Sequence, residues 1–128
     1  MTAQVVAPTA STFRNSLYHY SGEVQRIVDG DTVRILLALG CRVYATWSIR
    51  LLGYNAPELF SGPERAAGAA ARDALLAIMP PGTTVFIETQ LDRENFGRLL
   101  GHVYVPEPGD TLLDVAAAMI AAGHGVRA

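Results

Sequence analysis

Two groups of polar residues, separated by an apolar stretch, have the types and spacing to act together in chemistry. Asp29 and Asp31 flank a glycine and form the first group, while Arg50, Asn55 and Glu58 form the second. Carboxylate and amide oxygens are ligands that hard divalent cations prefer. An arginine can hold a phosphate through two of its nitrogens at once. The combination predicts a site that binds a metal ion and a phosphate side by side.

Each of these residues also has a simpler structural explanation. Asp29 and Asp31 could cap a hairpin turn, because aspartate side chains bind nearby backbone N–H groups. Arg50 could be a solvated residue at a strand edge, and Glu58 could cap a loop. The simpler explanation needs a separate coincidence at each position, so we prefer the shared site.

Composition and charge narrow the class of function. The chain has 128 residues, enough for one domain with its own core. Its formal net charge of −2 argues against a broad basic surface that coats nucleic acid. A compact phosphate site remains compatible with this charge, since the basic residues are all arginines. Cys41 is the only cysteine, so no internal disulfide can form, and we expect it to be a small core or strand residue.

The ends of the chain predict a compartment and a domain boundary. No apolar run is long enough to span a membrane, and residues 1–16 lack the basic and apolar regions of a signal peptide. We therefore expect a cytoplasmic protein with no membrane partner. Residues 1–17 have no clear period and predict a flexible or partner-bound N-terminal arm. Residues 18–128 form the predicted domain.

Alternating apolar and polar residues predict three strands around the two polar groups, at residues 18–27, 32–39 and 42–52. The predicted inward faces of the second and third strands consist of Val33, Ile35, Leu37, Leu39, Val43, Ala45, Trp47, Ile49 and Leu51. Arg50 falls on the opposite face, at the end of the third strand. The pattern therefore predicts that Arg50 points away from the core and toward Asn55 and Glu58.

The second half of the chain predicts two helices and two more strands. Residues 61–64 form a capping box with proline in the first turn, which predicts a helix to about residue 79. Its predicted buried stripe consists of Ala67, Ala70, Ala71, Ala74, Leu75 and Ile78. Strands at residues 84–89 and 98–105 follow, and a second capping box at residues 111–114 predicts a helix to Gly123. This order is that of an α+β fold, mainly β, with a five-stranded OB-type barrel and two packed helices.

Four short motifs, taken in order, resemble the staphylococcal nuclease (thermonuclease) family. They are VDGDTV at 28–33, IRLLG at 49–53 with APE at 56–58, FGR at 96–98, and the helix that ends at Gly123. Each motif is weak alone, but their order and the helix-sized gap between them are specific. The resemblance runs from about residue 20 to the C-terminus. It implies a Ca²⁺-dependent phosphodiesterase that hydrolyses DNA and RNA, with little sequence specificity, to 3′-phosphate ends.

The resemblance implies a calcium site. The metal ligands that it implies are Asp31, Asn55 and the backbone carbonyl of Ala56. Asp29 matches an acid beside the ion that orients bound waters. The implied partner is DNA or RNA. A site this small could read few exposed bases, so we expect little sequence specificity and a preference for single-stranded or frayed substrate.

The resemblance also implies three catalytic residues. Glu58 matches the proposed general base. Arg50 and Arg98 match the two arginines that bind the scissile phosphate and stabilise its charge. A simpler role for Arg98 also exists, since it could pair with Glu88 or Asp92 at the surface.

The chain departs from the family pattern in ways that keep an alternative open. Asn55 stands where the family normally has aspartate, which removes a negative charge and predicts weaker calcium binding. Phe96 stands in place of a tyrosine, with the loss of a phenolic hydroxyl. The third helix of the family has no counterpart, so the N-terminal arm, a second subunit or a protein partner is expected to cover that end. The alternative function is a non-catalytic OB-type binding or assembly module.

The lysine-free composition predicts one further setting. A compact chain of this kind suits a bacteriophage or mobile-element protein of a GC-rich host, acting in the host cytoplasm or carried in the virion. The sequence alone does not choose between this setting and a cellular one.

Overall fold

A closed barrel of five strands forms the centre of the computed structural model, which describes residues 7–57, 62 and 65–128. Its elements in chain order are α1 (Ala10–Ser16), β1 (His19–Ile27), β2 (Thr32–Gly40), β3 (Val43–Leu51), β4 (Tyr54–Asn55), α2 (Arg65–Ile78), β5 (Thr84–Leu91), β6 (Arg98–Glu107), β7 (Thr111–Asp114), α3 (Val115–Ala121) and β8 (Val126–Arg127). The barrel strands lie in the order β3-β2-β1-β5-β6, and β3 pairs with β6 to close the circle. The predicted α+β fold with an OB-type barrel is confirmed.

Alternation along the strands places their apolar side chains inside the barrel, because successive side chains of a strand point to opposite faces. Helices α2 and α3 cover the barrel and contribute the rest of the core. The buried apolar residues are Val24, Ile27, Val33, Ile35, Leu37, Ile49, Leu51, Tyr54, Ala71, Leu75, Met79, Val85, Ile87, Val103, Val115 and Met119. Burying a side chain of this size stabilises the fold by about 1.5–3 kcal/mol relative to leaving it exposed.

The tip of the β2–β3 hairpin differs from the sequence prediction. Leu39 and Val43 were predicted to face the core but are exposed, because they lie at the end of the hairpin, where a register shift between Ala38 and Gly40 interrupts the alternation. Cys41 is also exposed and is not a core or strand residue. Cys41 and Arg42 both have positive φ, at 54° and 63°. This is the backbone geometry of a two-residue hairpin turn, whose twist matches that of the flanking strands.

The parallel pairing of β3 with β6 sets the relative positions of two arginines. Ser48 lies opposite Arg98, and Arg50 lies opposite Leu100. Arg50 therefore stands near the end of β3 while Arg98 begins β6, on adjacent strands and only two positions apart in register. The backbone N–H of Leu52 donates to the carbonyl of Gly101 at 2.9 Å and continues the pairing past the end of β3.

Helix α2 is present as predicted, but its buried face differs in phase. Ala67 and Ala70 are exposed, while Gly68, Ala71 and Leu75 are buried. Alanines occur all around this helix, so the sequence marks no single apolar face. The helix ends at Ile78, one residue before the predicted end, and the backbone N–H of Met79 donates to the carbonyl of Leu75 at 3.0 Å. Three of the four residues of the predicted capping box, at 61, 63 and 64, lie outside the described residues.

The predicted start of the last helix was wrong by one turn. Residues 111–114 form β7, which pairs with β6 through contacts such as Val105 with Leu113. Helix α3 begins at Val115, with Asp114 as its N-cap accepting from the backbone N–H of Ala117 at 3.2 Å. The strand pairing contacts residues distant in sequence, and it outweighs the local capping signal at Thr111.

The predicted arm contains a short helix that the sequence analysis did not predict. Helix α1 is capped by Thr9, whose side chain accepts from the backbone N–H of Thr12 at 3.1 Å. None of its residues is buried. No helix in the described ranges is long and apolar enough to cross a membrane.

Helix α2 presses closely on the turn that joins β1 to β2. A Cβ added at Gly30 would lie 2.8 Å from the Cβ of Ala71 and 2.9 Å from the Cβ of Ala56. Contacts this short are not tolerated, so only glycine fits without a shift of the helix or the turn. Gly30 therefore allows α2 to support the turn that carries Asp29 and Asp31.

We predict that Gly30→Ala lowers the free energy of unfolding by about 1–3 kcal/mol, the usual cost of overpacking a tight site. Urea unfolding followed by circular dichroism measures this loss. Gly97→Ala is the matched control, because the nearest contact of its added Cβ is the Oδ1 atom of Asn95 at 3.3 Å, at the surface. Equal losses in the two variants would show that the contact with α2 is unimportant.

Candidate active cleft

The turn between β1 and β2, which we call the acid turn, consists of Asp29, Gly30 and Asp31. The backbone N–H groups of Val28 and Asp29 donate to the carbonyl of Thr32 at 2.9 and 3.2 Å. The Oδ1 atom of Asp29 accepts from the backbone N–H of Asp31 at 3.1 Å. Asp29 thus caps the turn, as its simpler explanation predicts, and it also brings the two carboxylates together.

Asp31 lies in an environment that disfavours its negative charge. Burial is the largest reason why the pKa of Asp31 is raised, and the adjacent carboxylate of Asp29 raises it further. The hydroxyl of Thr32, which donates to the Oδ1 atom of Asp31 at 3.0 Å, and the guanidinium of Arg50 lower this pKa in part. A cation beside the two carboxylates would stabilise their ionised forms, because an opposite charge nearby favours the charged state.

Arg50 lies between Asp31 and Asn55. Its Nη2 atom is 3.8 Å from the Oδ2 atom of Asp31 and donates to the Oδ1 atom of Asn55 at 2.6 Å. The strand alternation that predicted an outward Arg50 is confirmed, since its neighbours Ile49 and Leu51 are buried. Asn55 therefore positions the arginine, a role that the sequence analysis did not assign to it.

The segment that carries Asn55 is held by the C-terminal strand. Strand β8 pairs with β4, with Asn55 opposite Val126, and the N–H of Ala128 donates to the carbonyl of Gly53 at 3.2 Å. A Cβ added at Gly125 would collide with the ring of Tyr54 and the carbonyl of Asn55. The close approach of β8 therefore requires glycine at this position and fixes one side of the cleft.

Tyr54 is buried beneath this segment, and its hydroxyl has no hydrogen-bond partner among the described residues. Burial raises the pKa of Tyr54 to about 12, and the negative charges of Asp31 and Asp29 contribute to the rise. An unpaired buried hydroxyl is costly. The hydroxyl of Tyr54 is therefore an unpaired polar group on the buried side of the site.

Arg98 is held by a buried acid. Its Nε atom donates to the Oδ2 atom of Asp92 at 2.6 Å, and the Asp92 side chain is only 7% exposed. The hydrogen bond from Arg98 is the largest reason why the pKa of Asp92 is lowered, and the backbone N–H groups of Glu94 and Asn95 lower it further. Because the contact uses Nε, the two terminal nitrogens of Arg98 can face a ligand.

The two arginines open onto a single cleft. Arg50, Asn55, Asp92 and Arg98 all line this cavity, whose volume is about 670 Å³. Two guanidinium groups facing one solvent-filled space can bind a single phosphate through several charge-assisted hydrogen bonds. The cleft is therefore suited to hold an anion beside the acid turn.

The donors near the acid turn fit a hard divalent cation in their chemistry. In residues 7–57, 62 and 65–128, no group of three or more His, Cys, Asp or Glu side chains is placed to hold a metal ion. The oxygen donors that the structure places here are the carboxylates of Asp29 and Asp31 and the amide oxygen of Asn55, which accepts from Arg50; Ala56 approaches Asp31 through its N–H. Carboxylates, amides and carbonyls are the ligands that calcium accepts, with waters completing its shell.

The structure brings most of the predicted site residues together. Arg50 contacts both Asp31 and Asn55. The backbone N–H of Ala56 lies 3.5 Å from the Oδ2 atom of Asp31. Arg98 joins them across the cleft. Glu58, the predicted general base, lies outside the described residues. Asp29 lies in the acid turn beside Asp31.

Among the two predicted alternatives for pairing with Arg98, the structure selects Asp92. Glu88 pairs instead with His19, with 2.8 Å between its Oε2 atom and Nε2 of the imidazole. From the sequence, pairing with Asp92 was an alternative to phosphate binding for Arg98. The geometry makes the two roles compatible, because pairing through Nε leaves the terminal nitrogens toward the cleft.

Two known proteins are similar to this chain in sequence. No family model matches it. The chain is 36% identical over 108 residues, 81% of its length, to a micrococcal nuclease of Shigella flexneri, of which the match spans 56%. The chain belongs to the staphylococcal nuclease-like family.

A second known protein also matches part of this chain. Endonuclease YhcR of Bacillus subtilis is 33% identical over 101 residues, 73% of this chain and 8% of that protein. The chain thus spans about half of the first relative and a small part of the second. The matches support the family.

We predict that the contribution of Asp92 to stability depends on pH. A carboxylate with a lowered pKa stabilises the folded state above its unfolded pKa of about 3.9, and this stabilisation is lost as pH falls through the lower folded value. Asp92→Asn should therefore unfold at less urea than the unsubstituted protein at pH 7, and the two midpoints should converge as the pH falls below about 4. Urea titrations across this range measure the difference.

Asp73→Asn is the control for this prediction, because Asp73 is an exposed carboxylate on α2. Its midpoint should follow that of the unsubstituted protein at every pH. A gap for Asp92→Asn that stays constant down to pH 2.5 would contradict a stabilising ionic contact with Arg98.

Proposed function

We propose that this domain is a Ca²⁺-dependent nuclease that hydrolyses phosphodiester bonds of DNA or RNA and leaves 3′-phosphate ends. The observation that carries the proposal is the pair of arginines, Arg50 and Arg98, which open onto one cleft beside the acid turn. A phosphodiester is an anion of the size and charge that such a pair binds. The nuclease names of the two relatives support the same reaction class.

In this proposal the arginines bind the scissile phosphate and stabilise its charge as the bond to the 5′ oxygen breaks. Both are already oriented, Arg50 by Asn55 and Arg98 by Asp92. Groups fixed before the substrate arrives need not reorganise during the reaction, and such preorganisation is a major source of rate enhancement. Removing one charged donor of this kind typically slows turnover by about 10²–10³ fold.

The acid turn and the nearby segment of Asn55 and Ala56 form the proposed metal site. Asp31, Asn55 and the carbonyl of Ala56 would hold Ca²⁺, with Asp29 orienting bound waters. When bound, the ion would polarise a phosphate oxygen and position the attacking water. The Oδ1 atom of Asn55 serves Arg50 in this structure, so its use as a ligand requires that contact to be shared or given up.

Glu58 is the proposed general base, and its assignment comes from the resemblance alone. A carboxylate at this point would accept a proton from the attacking water. Its neighbour in sequence, Pro57, follows the β4 segment that carries Asn55. The chain therefore leads directly from the proposed metal ligands to the proposed base.

The substrate of the proposed nuclease is expected to be single-stranded or frayed, with little sequence specificity. The described cleft offers arginines and small polar groups that recognise phosphate, which is common to every nucleotide. Strong cleavage confined to one duplex sequence would contradict this part of the proposal.

The proposed activity is tested by cleavage of heat-denatured DNA with Ca²⁺, with EDTA and with three variants. Glu58→Gln, Arg50→Ala and Arg98→Ala should each lose at least about 10²-fold in kcat, because each removes a group that acts in the transition state. Arg72→Ala is the control, since Arg72 lies exposed on α2, away from the cleft. End analysis of the products should find 3′-phosphates.

Inertness of the unsubstituted protein at millimolar Ca²⁺, for both DNA and RNA, would overturn the nuclease proposal. That result would favour the non-catalytic OB-type module, in which the cleft binds a phosphate without hydrolysing it. Activity that survives EDTA would instead overturn the role of calcium.

We predict that Asn55→Asp binds Ca²⁺ more tightly than the unsubstituted protein, because calcium affinity rises with the number of charged ligands. Isothermal titration calorimetry should find a tightening of about tenfold, on the order of 1.4 kcal/mol. Asn15→Asp adds the same charge on α1 and serves as the control. Equal affinities for the unsubstituted protein and Asn55→Asp would exclude residue 55 as a metal ligand.

A further inference from the structure

A second groove opens from the side of the cleft, and the proposed mechanism does not use it. We call it the side groove; it is lined by Tyr18, Gln90, Leu91, Arg93 and Leu99, together with Thr89. Its volume is about 430 Å³. Gln90, Leu91 and Arg93 line both the side groove and the cleft, so the two spaces adjoin along these residues.

Tyr18 is held at the surface of this groove by an unusual backbone conformation. Its φ is 64°, in the left-handed region that bulky residues rarely adopt. The carbonyl of Tyr18 accepts from the backbone N–H of Thr89 at 3.0 Å, which fixes the conformation against β5. The residue remains 63% exposed. Such strained residues cluster at ligand sites, where the surrounding structure maintains them.

The other walls of the side groove combine apolar and cationic surface. Leu91 is 79% exposed although it ends a core strand, and Arg93 follows it in the adjoining turn. An aromatic ring next to a leucine and an arginine can stack on a base while the guanidinium pairs with a phosphate. This combination is the one with which proteins bind single-stranded nucleic acid.

The positive charge continues beyond Tyr18. A third, shallower cavity of about 530 Å³ shares Tyr18, Thr89 and Gln90 with the side groove and includes Arg14 of α1. Two acids along this path already have partners: Asp92 pairs with Arg98, and the Oε2 atom of Glu88 lies 2.8 Å from the Nε2 atom of His19. Glu94 lies at the cleft itself.

We propose that the side groove binds the nucleotides next to the scissile phosphate of a single-stranded nucleic acid, with one base stacked on Tyr18 and one phosphate held by Arg93. The proposal rests on the proposed nuclease function for the class of its substrate. A single strand is required because the faces of bases in a duplex are covered by their neighbours. The site therefore extends from the two catalytic arginines toward α1.

Binding without cleavage tests this proposal. The probes are fluorescein-labelled oligothymidylates of 3 and 12 nucleotides, whose binding is followed by fluorescence anisotropy in EDTA. The unsubstituted protein should bind the longer strand more tightly. Tyr18→Ala should weaken binding of the longer strand by about tenfold, the usual effect of losing one stacking contact, and Tyr18→Phe should retain the affinity because it keeps the ring.

Tyr44→Ala is the matched control, because Tyr44 is 65% exposed and lies on β3, outside the three cavities. It should bind both oligonucleotides as the unsubstituted protein does. A loss in Tyr44→Ala equal to that in Tyr18→Ala would overturn the assignment of the side groove. So would an equal loss in Tyr18→Phe and Tyr18→Ala.

Arg93→Gln tests the phosphate contact through the salt dependence of binding. Loss of one contact to a single strand should reduce the slope of log Kd against log salt concentration by about 0.7. Arg72→Gln, which removes an arginine from the exposed face of α2, should leave the slope unchanged. An unchanged slope in Arg93→Gln would overturn its proposed role.

Different results would refute the side-groove proposal and the nuclease proposal. Binding of the longer strand that depends on the Tyr18 ring, without calcium-dependent cleavage, would support the groove and refute the nuclease. Cleavage with calcium, together with Tyr18→Ala binding that equals the unsubstituted protein at both lengths, would support the nuclease and refute the groove. Binding of a 12-base-pair duplex with the same affinity and the same dependence on Tyr18 would overturn the commitment to a single strand.

Discussion

The parallel pairing of β3 with β6 is the interaction on which the rest of the molecule depends. It closes the barrel and so satisfies the backbone groups that an open sheet would leave at its two edges. The same hydrogen bonds bring Arg50 and Arg98 to adjacent strands. Stability and the cleft therefore have one structural origin, since no change can separate these strands without also separating the arginines.

Charge balance around the cleft follows from how each arginine is held. Arg50 is oriented by the neutral amide of Asn55 and only weakly approached by Asp31, whereas Arg98 is oriented by the buried carboxylate of Asp92. The two guanidinium groups are thus not equivalent. Arg98 has a carboxylate oxygen 2.6 Å from its Nε atom, whereas the carboxylate oxygen of Asp31 lies 3.8 Å from the Nη2 atom of Arg50.

The barrel could be predicted from the sequence because its strands alternate regularly. Val33, Ile35 and Leu37 are buried as predicted, since each lies where a side chain must enter the barrel. The prediction failed where distant contacts outweigh local signals. Residues 111–114 carry a capping signal but form β7, because pairing with β6 is available only in the folded chain.

The residues of the site could be predicted from the sequence, but the contacts between them could not. The types and spacing of Asp31, Arg50 and Asn55 indicated a shared site, and they lie in contact. Nothing local distinguishes Asp92 from Glu88 as the partner of Arg98, since the choice depends on a turn geometry that no pattern encodes. Strand β8 pairs with the segment of Tyr54 and Asn55, and this contact between distant parts of the chain could not be predicted from local sequence either.

The pairing of β4 with β8 has a consequence for how the protein is made. Chains emerge from the ribosome N-terminus first and can fold as they do so. The acid turn and Arg50 are synthesised early, but Arg98 follows a whole helix and strand later, and the residues that brace Asn55 come later still. Contacts between such distant segments form slowly. A nascent chain that lacks β8 therefore lacks the strand that braces Asn55, and this side of the cleft is complete only after residue 127 has left the ribosome.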